Sequence, residues 1–230
     1  MRRLMKGRIF VLFVVFSFFV VTQSFAASKD TLVKRIQRAQ EYLEDIMESP
    51  DTAIPESIME GCKGIIILRQ YKAGFIFGVK GGAGIALAKD KKTQEWSPPA
   101  FIGTGEGSFG FQIGGQSIDS IFLIMNKEGM EMLSKSKFKI GVDASAAIGP
   151  VGRDAEAKVG AGTAILVYSR AKGLYAGVSF EGGLLLSDKK ANKNFYNVAG
   201  ITIQDILFNN KVQMPEEAKP LVKLLNQWGK

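Results

Sequence analysis

Glycine is spread through the strand-like segments of this chain, and its placement constrains the fold more than any other feature. The chain has 26 glycines, and most of them interrupt apolar patterns of period two such as Phe75/Phe77/Val79 and Phe109/Phe111/Ile113. A glycine inside a strand weakens it locally but permits bends, bulges and close approach of two backbones. The pattern therefore predicts a strongly bent antiparallel β-sheet or a small barrel-like core.

Other segments complete an α+β fold class with N- and C-terminal flanking helices. The continuous apolar run 65–68 is typical of a buried strand, and apolar residues recur at steps of three and four over 28–48, as in an amphipathic helix. No Pro/Ser-rich linker divides the chain, which predicts one domain. Further strands are predicted at 118–125, 138–146, 155–168 and 174–186, and further helices at 55–59, 126–130, 203–208 and 218–228.

The first 26 residues have the three parts of a secretory signal peptide. Four basic residues within the first eight precede the apolar run 9–21, and the small residues Ser24 and Ala26 follow at the usual cleavage spacing. The apolar run is shorter than the roughly 20 residues that a membrane-spanning helix needs. We therefore predict a signal peptide over 1–26, a mature domain over 27–230, and an exported protein of the periplasm or envelope, peripheral to the membrane.

Composition excludes several classes of function. The chain has no histidine and a single cysteine, Cys62, which excludes His-dependent hydrolytic triads, His-ligated zinc and an internal disulfide. Removing the signal takes away four basic and no acidic residues, so the formal charge falls from +8 to about +4. A charge this mild does not indicate a nucleic-acid binder. We predict no metal site and no cofactor, and interpret Cys62 as a buried small apolar residue.

Two catalytic motifs occur in fragments. Residues 105–110 (GEGSFG) match a dinucleotide-binding loop, but such a loop must open a helix, and the alternating apolar residues that follow predict a strand. Ser134 and Lys137 have the Ser-x-x-Lys spacing of penicillin-recognising enzymes, but the supporting Lys-Thr-Gly strand is missing. The sequence therefore predicts a non-enzymatic protein.

Short motifs that share one order run along nearly the whole mature chain. They lie at 54–55, 63–65, 72–84, 96–101, 110–116, 119–126, 138–144, 149–153, 168–169, 172–178 and 192–196. In number and order they resemble the SYLF-domain family, a lipid-binding module of bacterial exported proteins and of eukaryotic proteins that add FYVE or other adaptor modules. The resemblance implies phospholipid binding, with phosphoinositides as ligands of eukaryotic members and actin-related roles for some fungal ones. Cys62 departs from the pattern, since the family more often has a small residue such as Ala there.

The residues predicted to bind lipid are mainly basic residues of the N-terminal helix and of the predicted sheet. The three bases of that helix come early, where they oppose the helix macrodipole. Each base at an anionic bilayer contributes on the order of 1 kcal/mol, so several are needed. The tryptophan of a Trp-Ser-Pro-Pro segment suits a membrane interface, or else belongs to a loop folded back on the core. The predicted lipid-binding residues are Lys34, Arg35, Arg38, Lys63, Lys72, Lys80 and Trp96.

The partners predicted on this basis are anionic phospholipid membranes, with no nucleic acid. Two other functions stay open. One is an envelope structural or interaction protein that binds another protein along a sheet edge. The other is a hydrolase that uses Lys or carboxylates, for which the sequence assembles no site.

Overall fold

The computed structural model describes residues 27–229 except 50, 52, 75–76, 110–113, 152–161 and 172–183, and gives only the backbone of 72–74, 77–80, 106–109, 114–116 and 171. The predicted signal peptide 1–26 lies outside these residues. The α-helices are α1 (Lys29–Glu48), α2 (Glu56–Gly61), α3 (Lys127–Leu133), α4 (Lys189–Tyr196), α5 (Ile203–Leu207) and α6 (Lys219–Trp228), the last preceded by a 3₁₀ turn at Glu216–Ala218. The strands are β1 (Gly64–Gly74), β2 (Phe77–Ala88), β3 (Ala100–Phe109), β4 (Gly114–Ile124), β5 (Lys137–Lys139), β6 (Ala146–Ile148), β7 (Ile165–Ala171) and β8 (Leu184–Ser187).

All of these strands form one eight-stranded, strongly curled sheet, which confirms the predicted α+β class. The strand order is β5-β8-β3-β2-β1-β4-β7-β6, and every pairing is antiparallel except that of β6 with β7. The prediction of one strand over 138–146 was wrong. The chain turns at Gly141, where φ is +81°, and the two halves become β5 and β6 on opposite edges of the sheet.

Helix α4 was not predicted. The carboxylate of Asp188 caps it by accepting from the Ala191 amide at 3.0 Å. Within the helix, the Asn192 side chain accepts from the Phe101 amide at 2.7 Å and donates to the Phe101 carbonyl at 3.0 Å, which fixes α4 against β3. The polar sequence of α4 leaves only Ala191 and Phe195 as buried apolar positions, so its apolar periodicity is too short to recognise.

Both faces of the sheet are packed against helices, and the predicted burial of the apolar run 65–68 is confirmed. Ile65 and Ile67 belong to the core that α1, α2, α4 and α6 cover, whereas Ile66 and Leu68 belong to the core that α3 and α5 cover. Alternate residues of a strand point to opposite faces, so a strand buried on both sides must be apolar throughout. In the described part of the chain, no helix is both long enough and apolar enough to cross a bilayer.

The curl of the sheet requires glycine in β2. A Cβ on Gly82 would lie 2.5 Å from the Arg69 carbonyl oxygen, and a Cβ on Gly84 would overlap the Ile67 carbonyl oxygen. Both obstacles are backbone atoms of β1, which cannot rotate away as a side chain can. At Gly105 on β3, by contrast, a Cβ would meet nothing within 4 Å.

We expect Gly84→Ala to lower the free energy of unfolding by about 2–3 kcal/mol, because the added methyl forces β1 and β2 apart. Gly105→Ala is the matched control and should change that free energy by less than about 0.5 kcal/mol. Urea denaturation followed by circular dichroism measures both. Equal effects of the two variants would contradict the close approach of the β1 and β2 backbones.

Cys62 is a free thiol that is 1% exposed, as the sequence interpretation expected. Burial raises the pKa of this thiol to about 12. In the unfolded chain the thiol ionises near its ordinary pKa of about 8.5. Its contribution to stability is therefore complete below that pH and declines as the pH rises above it.

At pH 8.0, N-ethylmaleimide should label the native protein at least about a hundred times more slowly than the urea-unfolded chain, because the thiolate is the reactive form and the folded protein suppresses it. Mass spectrometry after timed quenching measures both rates. Labelling of the native protein at the unfolded rate would contradict the burial of Cys62.

Candidate functional site

Helix α1 carries two basic side chains on its solvent side. Ser28 caps the N-terminus of the helix. Because the apolar stripe of α1 packs on the sheet, Lys34 and Arg38 on the other side of the helix are exposed. Neither cation has a carboxylate within ion-pair distance among the described residues. Both were predicted from the sequence as lipid-binding residues, and the fold leaves them available for a partner.

Arg35 is held inside the domain instead. Its guanidinium lies 3.3 Å from the Asp188 carboxylate and 5.6 Å from the centre of the Phe101 ring, and its side chain is only 17% exposed. Position 35 is closer to the apolar stripe of the helix than positions 34 and 38 are, which turns it toward the sheet. Arg35 therefore joins α1 to the cap of α4, and the structure does not present it for lipid contact.

Helix α4 brings three more cations beside α1. Lys189, Lys190 and Lys193 are all exposed, and none has a carboxylate partner in the described part of the chain. Their helix is fixed to α1 through the Arg35–Asp188 pair and through Lys29, whose ammonium lies 5.8 Å from the centre of the Phe195 ring.

The 3₁₀ turn and α6 also lie against α1. Lys29 lies 3.7 Å from Glu217, and α1 contacts both the turn and α6. Lys219 pairs with Glu216 at 2.6 Å, whereas Lys223 on α6 is exposed and has no carboxylate partner among the described residues. Helices α4 and α6 both contact α1. We define the basic surface as the exposed cations of these three helices that have no carboxylate partner among the described residues: Lys34, Arg38, Lys189, Lys190, Lys193 and Lys223.

The other predicted lysines lie at β1 and β2 and not on the helices that define the basic surface. Lys63 is exposed at the start of β1, nine residues before Lys72, which at about 3.3 Å per residue is roughly 30 Å along the strand. Lys72 and Lys80 are direct partners in the β1–β2 register. Their side chains lie outside the described part of the structure, so their place in a binding site stays a prediction.

Trp96 lies in the core. Of the two positions predicted for it, a membrane interface or a loop folded back on the core, the structure shows the second. Trp96 forms an isolated antiparallel β-bridge with Lys89, and its side chain is 5% exposed. The Lys89 ammonium lies 5.2 Å from the centre of the indole ring. The loop is therefore folded back on the domain and does not offer Trp96 to a bilayer.

A polar cavity of about 410 Å³ lies near the C-terminal half of α1. Two nitrogens of Arg69 donate to the two carboxylate oxygens of Asp119, each at 2.6 Å, and this pairing raises the pKa of Arg69 above its usual range. The Tyr42 hydroxyl donates to the Asp119 carbonyl at 2.9 Å, and Arg170 lies 3.8 Å from Asp45. Two cations meet two carboxylates here, so the cluster is neutral and joins α1 to β1, β4 and β7.

The catalytic motif fragments are not assembled into sites. The described part of GEGSFG lies within β3 and opens no helix. Ser134 caps the C-terminus of α3 and Lys137 begins β5, so the two side chains are not on successive turns of one helix. Among the described residues, no group of three or more Cys, Asp or Glu side chains could hold a metal ion.

Sequence reasoning missed the lysines of α4, although a local signal exists. Asp188 precedes the segment as a helix cap, and Ala191 and Phe195 are four residues apart on one face. This spacing turns Lys189, Lys190 and Lys193 to the solvent side of the helix. The capping pattern, rather than apolar periodicity, was the signal that would have found these lysines.

Comparisons with known proteins point to one family. The family model "Ysc84: Las17-binding protein actin regulator" matches residues 105–228. SH3 domain-containing YSC84-like protein 1 of Rattus norvegicus is 34% identical over 182 residues, which is 78% of this chain and 53% of the relative. The same-named protein of Homo sapiens is 34% identical over 182 residues, 78% of this chain and 52% of the relative. Protein YSC84 of Saccharomyces cerevisiae is 33% identical over 180 residues, which is 76% of this chain and 38% of the relative.

The chain thus spans about half the length, or less, of the curated relatives that it matches. No solved structure matches it.

The Arg69–Asp119 pair should stabilise the fold measurably, because its two hydrogen bonds are short and parallel. Solvent screening limits the effect, since the Arg69 side chain is 37% exposed. We expect a double-mutant cycle of Arg69→Met and Asp119→Asn to give a coupling energy of about 1 kcal/mol in urea denaturation.

The exposed pair Lys127–Glu131, four residues apart on α3, is the control for this cycle. Its coupling energy should be about 0.3 kcal/mol and should fall further with added salt. A coupling energy for Arg69–Asp119 no larger than that of the control would show that the pair does not tie the strands together.

Proposed function

Because this chain belongs to the Ysc84 family, which is the SYLF-domain family that its motifs resemble, we propose that it is a non-enzymatic module that binds anionic phospholipid membranes through the basic surface. The observation that carries the proposal is that α1 and two helices in contact with it, α4 and α6, together bear six exposed cations without carboxylate partners in the described structure. The predicted signal peptide 1–26 would direct this activity to the bacterial envelope.

The size of the electrostatic attraction supports a peripheral mode of binding. At about 1 kcal/mol for each base close to an anionic bilayer, six cations provide several kcal/mol, which suits reversible association. This attraction falls off within the Debye length, about 8 Å at physiological ionic strength, so salt should weaken it.

The charge distribution along α1 gives this binding an orientation. Lys34 and Arg38 lie in the first half of the helix together with one carboxylate, Asp30, whereas four carboxylates, those of Glu41, Glu44, Asp45 and Glu48, lie in the second half. The proposed mode turns the first half toward the bilayer and keeps the carboxylates of the second half away from it. The described chain also enters the domain at this end, since Ala27 packs on the core directly before the Ser28 cap.

Protein binding is the second candidate function. The matching family is described as Las17-binding and as an actin regulator, so its named members have protein partners. An envelope protein is the partner we propose for this chain in that case. Edge strand β6 suits strand addition better than edge strand β5, because exposed Lys137 and Lys139 discourage pairing at β5 whereas Ile148 on β6 is 62% exposed.

The first test is co-sedimentation of the protein lacking residues 1–26 with vesicles of phosphatidylcholine alone or mixed with phosphatidylglycerol. We expect binding only to the anionic vesicles, and a loss of at least about tenfold in affinity between 50 and 500 mM salt. The double variants Lys34→Glu/Arg38→Glu and Lys189→Glu/Lys190→Glu should each weaken binding by about tenfold or more, because each replaces two attractive charges with two repulsive ones.

Lys137→Glu/Lys139→Glu is the matched control, since it changes the net charge equally at exposed positions outside the basic surface that are unpaired in the described structure. We expect it to keep most of the binding. An equal loss in the control would mean that net charge alone drives association, and the surface assignment would be wrong. Absence of binding to both vesicle types, with salt-resistant capture of one envelope protein, would favour the second candidate.

A further inference from the structure

A second and larger cavity, of about 680 Å³, lies away from the basic surface. It is bounded by residues 89–98 of the loop that joins β2 to β3, by α3, and by the C-terminal end of α5. Small-molecule sites in proteins commonly have volumes of about 300–1,000 Å³. The cavity is therefore large enough for a ligand, and neither the neutral Arg69 cluster nor the basic surface includes it.

Part of the cavity wall is apolar. Met130 on α3, Leu207 on α5 and Pro98 in the loop are buried residues of this wall. Phe208, directly after α5, also lines it and is 38% exposed, although burial of an aromatic ring is favourable. An apolar ligand in the cavity would cover this ring.

The charged part of the wall favours an anion. Lys91 and Lys92 are exposed, and neither has a carboxylate within ion-pair distance among the described residues, although Lys92 lies near enough to Asp90 to attract it. In contrast, the Asp90 carboxylate accepts from the backbone amides of Lys92 at 2.7 Å and Thr93 at 2.9 Å, and these hydrogen bonds lower the pKa of Asp90. Asp90 is thus occupied within its own loop.

The remaining charges of the wall do not reverse this preference. Glu131 is paired with Lys127 at 3.3 Å, which leaves Glu95 as the lining carboxylate without such a contact in the described structure. Trp96 also lines the cavity, and its buried indole N–H has no acceptor among the described residues. Buried donors are normally paired, so this wall has an unused donor as well as unused cations.

We propose that this cavity binds a fatty-acid anion. The apolar chain lies against Met130, Leu207 and Phe208, and the carboxylate lies at Lys91 and Lys92. This site is separate from the basic surface, and the proposal does not depend on membrane binding. Binding requires both parts of the wall, because an acyl chain alone would contact only the apolar part and a carboxylate alone only the lysines.

The test uses Trp96 as its reporter. Trp96 and Trp228 are the two tryptophans of the chain, so Trp228→Phe leaves one emission signal in the cavity wall. Decanoate, below its micelle-forming concentration and without vesicles, should change this emission in a saturable way. Acetate provides the charge without the chain, and decyltrimethylammonium provides the chain with the opposite charge. Both should bind at least about tenfold more weakly than decanoate.

Variants in the same Trp228→Phe background identify the site. Lys91→Gln/Lys92→Gln and Phe208→Ser should each weaken decanoate binding by about tenfold or more. The control Lys137→Gln/Lys139→Gln removes two exposed lysines that do not line the cavity, and should leave binding unchanged. The loop lysines are exposed, so their variant remains informative if Phe208→Ser does not fold.

Three results would overturn the proposal. Absence of saturable decanoate binding up to millimolar concentration, by emission and by calorimetry, would exclude the ligand. Equal binding of decyltrimethylammonium would exclude a role for the loop lysines. Full binding by the Lys91→Gln/Lys92→Gln variant would place the carboxylate elsewhere.

Discussion

The close approach of the β1 and β2 backbones at Gly82 and Gly84 sets the curvature on which the rest of the structure depends. Helix α1 contacts groups from distant strands, because Arg35 pairs with Asp188 just past β8 and Asp45 pairs with Arg170 on β7. Five interstrand spacings separate β8 from β7, about 24 Å in a flat sheet, whereas ten residues of helix span about 15 Å. Curling of the sheet makes up the difference, so that one helix engages both sides of it.

The ion pairs divide the basic residues into two groups with different chemistry. Arg35, Arg69 and Arg170 all pair with carboxylates, and Arg38 is the one arginine with a described side chain that does not. The basic surface is otherwise built from lysines. A guanidinium offers a planar set of donors that suits fixed pairs, whereas an ammonium on a flexible stem suits a solvated surface whose partner varies. Three of the four arginines with described side chains thus form ion pairs within the domain, whereas five of the six cations of the basic surface are lysines.

Local patterns predicted the elements that depend on local physics. The stripe of α1 and the buried run 65–68 follow from local apolar patterns, and both are confirmed. The break at Gly141 and the parallel pairing of β6 depend on long-range contacts that no local pattern encodes. The same limit applies to the site. Lys34 and Arg38 were predicted, and local patterns exist for the inward side of Arg35 and for helix α4 itself. The docking of α4 beside α1, however, depends on the pairing of Arg35 with Asp188, which is 153 residues away along the chain.

The burial of Cys62 has a consequence for where this protein can fold. Its sulfur lies inside the core, and the raised pKa leaves little thiolate to attack a second thiol or a disulfide. An oxidising compartment would therefore not cross-link two copies of the folded chain through this residue, and a reducing one would remove no bond on which the fold depends. The folded domain is therefore held together without a disulfide bond, and its buried thiol is shielded from exchange in an oxidising as well as in a reducing compartment.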